Sequence, residues 1–168
     1  IRGQAMSKKR MNNKQRVLYA KAVYGSNEIN AVIDILKNSP ENLMCSEKVN
    51  LFESKIANIF GKRYGLMVNS GSSANTLAIA ALNLEPGAEI ITPALTFSTT
   101  VAPIVQQNYI PAFVDVEEDT YNIDSNLVEA MIGPETKAMI IPNLLGNLPD
   151  WNALKLISKK YDLAIIED

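Results

Sequence analysis

The apolar positions of this chain change rhythm along its length, and the rhythm separates two kinds of segment. From Ser26 the apolar residues Ile29, Val32, Ile33 and Leu36 recur at helical spacing, with Ser26 as a cap and Ser39-Pro40 as a stop. A second helix is predicted from about 46 to 60, with Val49, Phe52, Ile56, Ile59 and Phe60 on one side and Gly61 after its end. Residues 1–25 show no clear period and read as a lead-in to a single unit, 26–168. Beyond 61, short and nearly continuous apolar runs alternate with helical ones. Strands are predicted at 64–68, 89–92, 110–116, 138–141 and 163–167. Helices are predicted at 73–84, 98–107, 124–132 and 150–160, with Asp124 and Asp150 as N-caps. Strands that are apolar throughout have both faces covered, so the pattern predicts an α/β domain with a mainly parallel sheet.

Composition narrows the chemistry. The chain of 168 residues is 47% hydrophobic and 20% charged, with a net charge of −2. That balance gives no reason to expect nucleic acid or an anionic membrane as partner. A basic cluster, Lys8-Lys9-Arg10 with Lys14 and Arg16, reads as a solvated lead-in. There is no histidine, which removes Ser-His-Asp and Cys-His catalysis and His-based zinc sites from this segment. The single Cys45 cannot form an intrachain disulfide and suits a reducing cytoplasm; it reads as a small buried thiol. Met6 is the more natural start, and an end on a strand-like run at Asp168 is what a fragment would show.

In open parallel sheets ligands collect at the carboxyl ends of the strands. The first such end is Asn69-Ser70-Gly71-Ser72-Ser73, leading into a helix. Free amides and the positive end of the helix dipole suit a phosphate there, although Ser before a helix also serves as an ordinary cap. Another strand end carries Thr96-Phe97-Ser98-Thr99-Thr100, a later one Asn143-Leu144-Leu145-Gly146, and the last Glu167-Asp168. A phosphate loop, an aromatic and a strand-end acid together match the needs of pyridoxal 5′-phosphate (PLP). That cofactor requires a phosphate cradle, a flat stacking partner and a carboxylate on its pyridine nitrogen. Phe97 alone would read as a core aromatic, and Asp168 alone as a cap; their company turns both towards a site. No Gly-x-Gly-x-x-Gly follows any strand and no Walker-type loop is present.

The ordered strings VNSGSSANTLAIAAL, GAEIITPALTFSTTVAPI, PAFVDVEEDTYNID, LGNLPDW and AIIED resemble the DegT/DnrJ/EryC1/StrS family of PLP-dependent sugar aminotransferases. The resemblance covers about 24–168. It implies the N-terminal part of a fold-type I (aspartate aminotransferase-like) large domain, working as a homodimer. It implies that Gly71, Ser72 and Ser73 hold the phosphate, Phe97 stacks on the ring and Asp168 contacts the ring nitrogen. Asn143 would lie near the ring, where many members carry histidine.

The implied activity is transfer of an amine, with glutamate as donor, to a nucleotide-linked keto-sugar in polysaccharide or deoxysugar biosynthesis. The Schiff-base lysine of the family falls after Asp168, so the chain alone would be inactive and, with an open sheet edge, poorly soluble. The strings VNSGSSAN, FVDVEEDTYNID and LGN are similar as well to a branch that carries histidine in place of that lysine and removes a sugar 3-hydroxyl. A third reading is a non-catalytic phosphate-binding remnant.

Overall fold

The computed structural model describes residues 18, 20–41, 43–44 and 46–168. The basic cluster before residue 18 and Cys45 lie outside the described residues. The chain separates into two compact units, Ile1–Gly65 and Leu66–Asp168.

The first unit carries helices α1 (Ser26–Asn38) and α2 (Glu47–Ile59). The start of α1 differs by one residue from expectation. Gly25 is its N-cap, and the Glu28 carboxylate accepts the Gly25 N–H at 2.6 Å, which holds that carboxyl below its usual range. Helix α2 closes as expected at Gly61, whose φ is +60°. The Gly61 and Lys62 amides donate back to the Asn58 and Ala57 carbonyls, completing a Schellman motif. The apolar side of α1 exists as a helical stripe, but Ile29, Val32, Ile33 and Leu36 all remain exposed.

The second unit is a four-stranded parallel sheet with helices on both faces. Its elements are α3 (Gly71–Ala81), β1 (Glu89–Pro93), α4 (Ser98–Gln106), β2 (Ile110–Val114), α5 (Ser125–Val128), β3 (Thr136–Ile141), α6 (Trp151–Tyr161) and β4 (Ala164–Glu167). The strand order is β2-β1-β3-β4. Ile91 pairs with Ala112 on one side and Met139 on the other, and Ile141 of β3 pairs with Glu167 of β4.

Alternation along the strands builds two cores. Ile90, Ala138 and Ile140 pack with Ile79 of α3 and Ile104 of α4. Ile91, Met139 and Ile141 pack on the opposite face with Leu154 and Ile157 of α6. This two-sided burial is why the strands read as unbroken apolar runs. Asp124 and Asp150 cap α5 and α6 through their carboxylates, as their positions predicted.

Two elements depart from expectation. Residues 64–68 form no strand, because a strand exists only in a ladder and no described strand runs beside them. The helix expected at 124–132 is a four-residue α5 followed by a 3₁₀ turn, Glu129–Met131. It ends at Ile132, whose backbone is extended just ahead of Gly133-Pro134. Among the described residues no helix is long and apolar enough to cross a membrane.

Candidate active site

The chain runs from β1 outward to β2, then returns to the other side of β1 to form β3. The crevice at the carboxyl ends of β1 and β3 is therefore the switch point of the sheet, the usual place for a ligand. A cleft of about 390 Å³ opens there. Helix α3 contributes Gly71, Ser72 and Asn75 to its lining, and the β1–α4 junction contributes Thr96, Phe97, Thr99 and Thr100. Residues 142–145 after β3 and Asp168 after β4 complete the lining.

The start of α3 is organised by hydroxyls. Ser70 caps it by accepting the Ser73 amide at 3.2 Å, and Ser73 Oγ donates to Asn69 Oδ1 at 2.6 Å. The first intrahelical bond runs from the Ala74 amide to the Ser70 carbonyl. This leaves the Gly71 and Ser72 amides without a hydrogen-bond partner among the described residues, beside the cleft and at the positive end of the helix. A Cβ on Gly71 would meet nothing within 4 Å, so crowding does not require glycine there. Its missing side chain leaves open space next to the two free amides.

Helix α4 is tied to α3 by a break in its own ladder. Pro103 has no N–H, so the Thr99 carbonyl loses its intrahelical donor. Asn75, buried in the interface, offers Nδ2 to that carbonyl at 3.4 Å. Gln107 Nε2 reaches the Thr76 carbonyl at 3.1 Å. At the head of α4, Phe97 is 70% exposed on the cleft wall in this chain. Thr96 Oγ1 is shielded from solvent there and has no hydrogen-bond partner among the described residues. Asp168 extends the β4 ladder by donating its amide to the Ile141 carbonyl, and its carbonyl accepts the Asn143 amide. Its Oδ2 accepts the Thr100 hydroxyl at 2.6 Å.

Of the six residues expected at a site, Gly71, Ser72, Phe97, Asn143 and Asp168 line one cleft. Ser73 does not, because its hydroxyl is turned into the loop. Both ends of the Asn143 amide are occupied: Nδ2 donates to Glu167 Oε1 at 3.0 Å and Oδ1 accepts the Trp151 indole N–H at 3.0 Å. Neither Asn75 nor Thr100 was among those six residues, yet both line the cleft. Both carry the same signal, a polar residue four positions before a fully buried isoleucine, Ile79 and Ile104 respectively. Among the described residues no cluster of three or more His, Cys, Asp or Glu is placed to hold a metal ion.

The residues fit PLP. Two free amides and open space suit the phosphate, an uncovered phenyl face suits the ring, and a held carboxylate suits its nitrogen. The cleft is of ordinary size for a cofactor.

The chain is similar to known proteins along most of its length. The model of the DegT/DnrJ/EryC1/StrS aminotransferase family matches residues 23–168. The lipopolysaccharide biosynthesis protein RfbH of Salmonella typhimurium is 44% identical over 125 residues, 70% of this chain and 29% of that protein. The GDP-4-keto-6-deoxy-D-mannose 3-dehydratase of Yersinia pseudotuberculosis is 37% identical over 155 residues, 89% of this chain and 39% of that protein. The UDP-2-acetamido-2-deoxy-3-oxo-D-glucuronate aminotransferase of Pseudomonas aeruginosa is 36% identical over 121 residues, 72% of this chain and 34% of that protein.

The structure of the E. coli GDP-4-keto-6-deoxy-D-mannose-3-dehydratase with bound hydrated PLP matches with a TM-score of 0.82 at 35% identity. That match covers 89% of this chain and 39% of the other. The chain thus spans well under half the length of these relatives. With its parallel sheet and the fold of these PLP enzymes, the chain belongs to the DegT/DnrJ/EryC1/StrS aminotransferase family.

Proposed function

We propose that the full protein is a cytoplasmic, PLP-dependent enzyme acting on a nucleotide-linked keto-sugar in polysaccharide or deoxysugar biosynthesis, and that its reaction is 3-dehydration of a 4-keto-6-deoxyhexose. The observation that carries the cofactor is the single cleft joining the free Gly71 and Ser72 amides, the uncovered Phe97 ring and the Thr100-bound Asp168 carboxylate. In this reading the two amides and the dipole of α3 bind the phosphate. Phe97 covers one face of the ring and excludes water from it. Asp168 accepts a hydrogen bond from the ring nitrogen and keeps it protonated. Ser73 acts indirectly, holding the loop through Asn69. Asn143, pinned by Trp151 and Glu167, shapes the cleft wall. When bound, PLP supplies an electron sink for the electron pair released at a substrate carbon.

The dehydratase reading is supported by the breadth of similarity to the Yersinia 3-dehydratase and by the E. coli fold match. The second reading, amine transfer from glutamate to the keto-sugar, is supported by the family's name and by the nearly equal identity to the Pseudomonas aminotransferase. In both readings the enzyme is a homodimer.

The test is incubation of the full-length protein and PLP with GDP-4-keto-6-deoxymannose, with and without glutamate, followed by mass spectrometry of the nucleotide sugar. A product lighter by one oxygen, with its 3-hydroxyl replaced by hydrogen, its carbonyl kept and the two electrons drawn from glutamate, supports 3-dehydration. A product that has exchanged its carbonyl oxygen for an amine supports transfer. A protein that takes up no PLP refutes both and leaves the non-catalytic reading.

A further inference from the structure

We propose that Thr100 is a positioning residue for Asp168: its hydroxyl locks the carboxylate that meets the cofactor ring, and one helical turn thereby sets both ring contacts. The inference rests on the PLP reading above.

The Thr100 side chain is 1% exposed. A hydroxyl so placed must be paired or it destabilises the fold. Its partner, Asp168 Oδ2, lies 68 residues away in sequence and 2.6 Å away in space, a short, charge-assisted contact. The main chain of Asp168 is already held on both sides, by Ile141 and by Asn143. What remains free is rotation of the carboxylate, and the Thr100 bond removes it. Asp168 Oδ1 has no hydrogen-bond partner among the described residues and is left for a ligand. The Thr100 amide donates to the Phe97 carbonyl at 3.0 Å, so the aromatic and the clamp share one turn. A ligand ring placed against Phe97 thus finds the acid already oriented, which reduces the ordering cost of binding.

The rival is a purely structural hydroxyl that Asp168 happens to satisfy. The experiment separates them in the full-length protein by titrating PLP and recording the absorption of the bound cofactor. The variants are T100V, T100S, D168N and the T100V/D168N double variant. T100V is expected to weaken PLP binding about tenfold and to move the absorption maximum. T100S is expected to keep both within about twofold of the wild type. In the D168N background T100V is expected to add nothing, since the two act as one unit.

Equal affinity of T100V and wild type overturns the inference and leaves the PLP reading intact. So does an undiminished loss from T100V in the D168N background. Wild-type protein that binds no PLP overturns the reading and the inference together. Should valine prevent folding, Thr100→Ala carries the same comparison.

Discussion

Phe97→Ala separates a ligand-facing aromatic from a core one. The ring keeps 70% of its surface open. A phenylalanine offers on the order of 200 Å², so a flat ligand on one face covers roughly 70 Å² of what is open. At about 25 cal/mol per Å² this gives about 2 kcal/mol. The aromatic stacking preference adds about 1 kcal/mol. The expected loss of PLP affinity is therefore roughly 30- to 150-fold. The cofactor-free protein should lose less, because only about 60 Å² of the side chain is buried; at the same coefficient its unfolding free energy should fall by no more than about 1.5 kcal/mol. Fluorescence titration with PLP gives the first quantity, and urea unfolding of the cofactor-free protein gives the second. Wild-type PLP affinity in Phe97→Ala would refute the stacking role. A loss of stability above about 3 kcal/mol would show a core residue instead.

Two further outcomes test the frame around the site. Tyr109 is buried, and its hydroxyl both accepts the Leu84 N–H and donates to the Leu84 carbonyl, each at 3.1 Å. Tyr109→Phe should cost about 2 kcal/mol in urea unfolding, and an unchanged midpoint would refute this. On the surface, Lys160 and then Tyr161 donate to Glu129 and hold its carboxyl below the usual range, while Glu129 holds the Lys160 ammonium above its own. The Glu129 contribution is present above the ordinary carboxylate pKa and fades as pH falls through the lowered value. The Lys160 contribution is present below the ordinary lysine pKa and fades as pH rises through the raised value. Both groups are exposed, so the effect is small. The difference in melting temperature between wild type and Glu129→Gln should peak near neutral pH and shrink at both extremes; a constant difference would refute it.

The sheet was legible because its strands are short, apolar on both faces and separated by capped helices. Asp124 and Asp150 announce α5 and α6 through a local rule that needs no tertiary knowledge. The segment 64–68 has the composition of a strand, but pairing depends on a neighbour that composition cannot name. As the ends of strand-like runs, one of which, 64–68, is not a strand, the candidate site was legible. Its wiring was not, since Thr100 meets Asp168 and Asn75 meets Thr99 only once the sheet and α4 are in place. Ser73 shows the converse limit. Its position beside the cleft is local, yet its hydroxyl goes to Asn69, a choice of rotamer that the motif does not reveal.

The proline in α4 has a consequence for selectivity. By freeing the Thr99 carbonyl for Asn75, it ties the α3 end of the crevice to the α4 end, where Phe97 stands. Two ends tied together in this way would act as a ruler. A molecule with its negative group one bond nearer to or farther from its ring would have to give up one contact to keep the other. Under the proposed function the crevice would thus measure the length of what enters it, with a backbone carbonyl that an uninterrupted helix would have kept for itself.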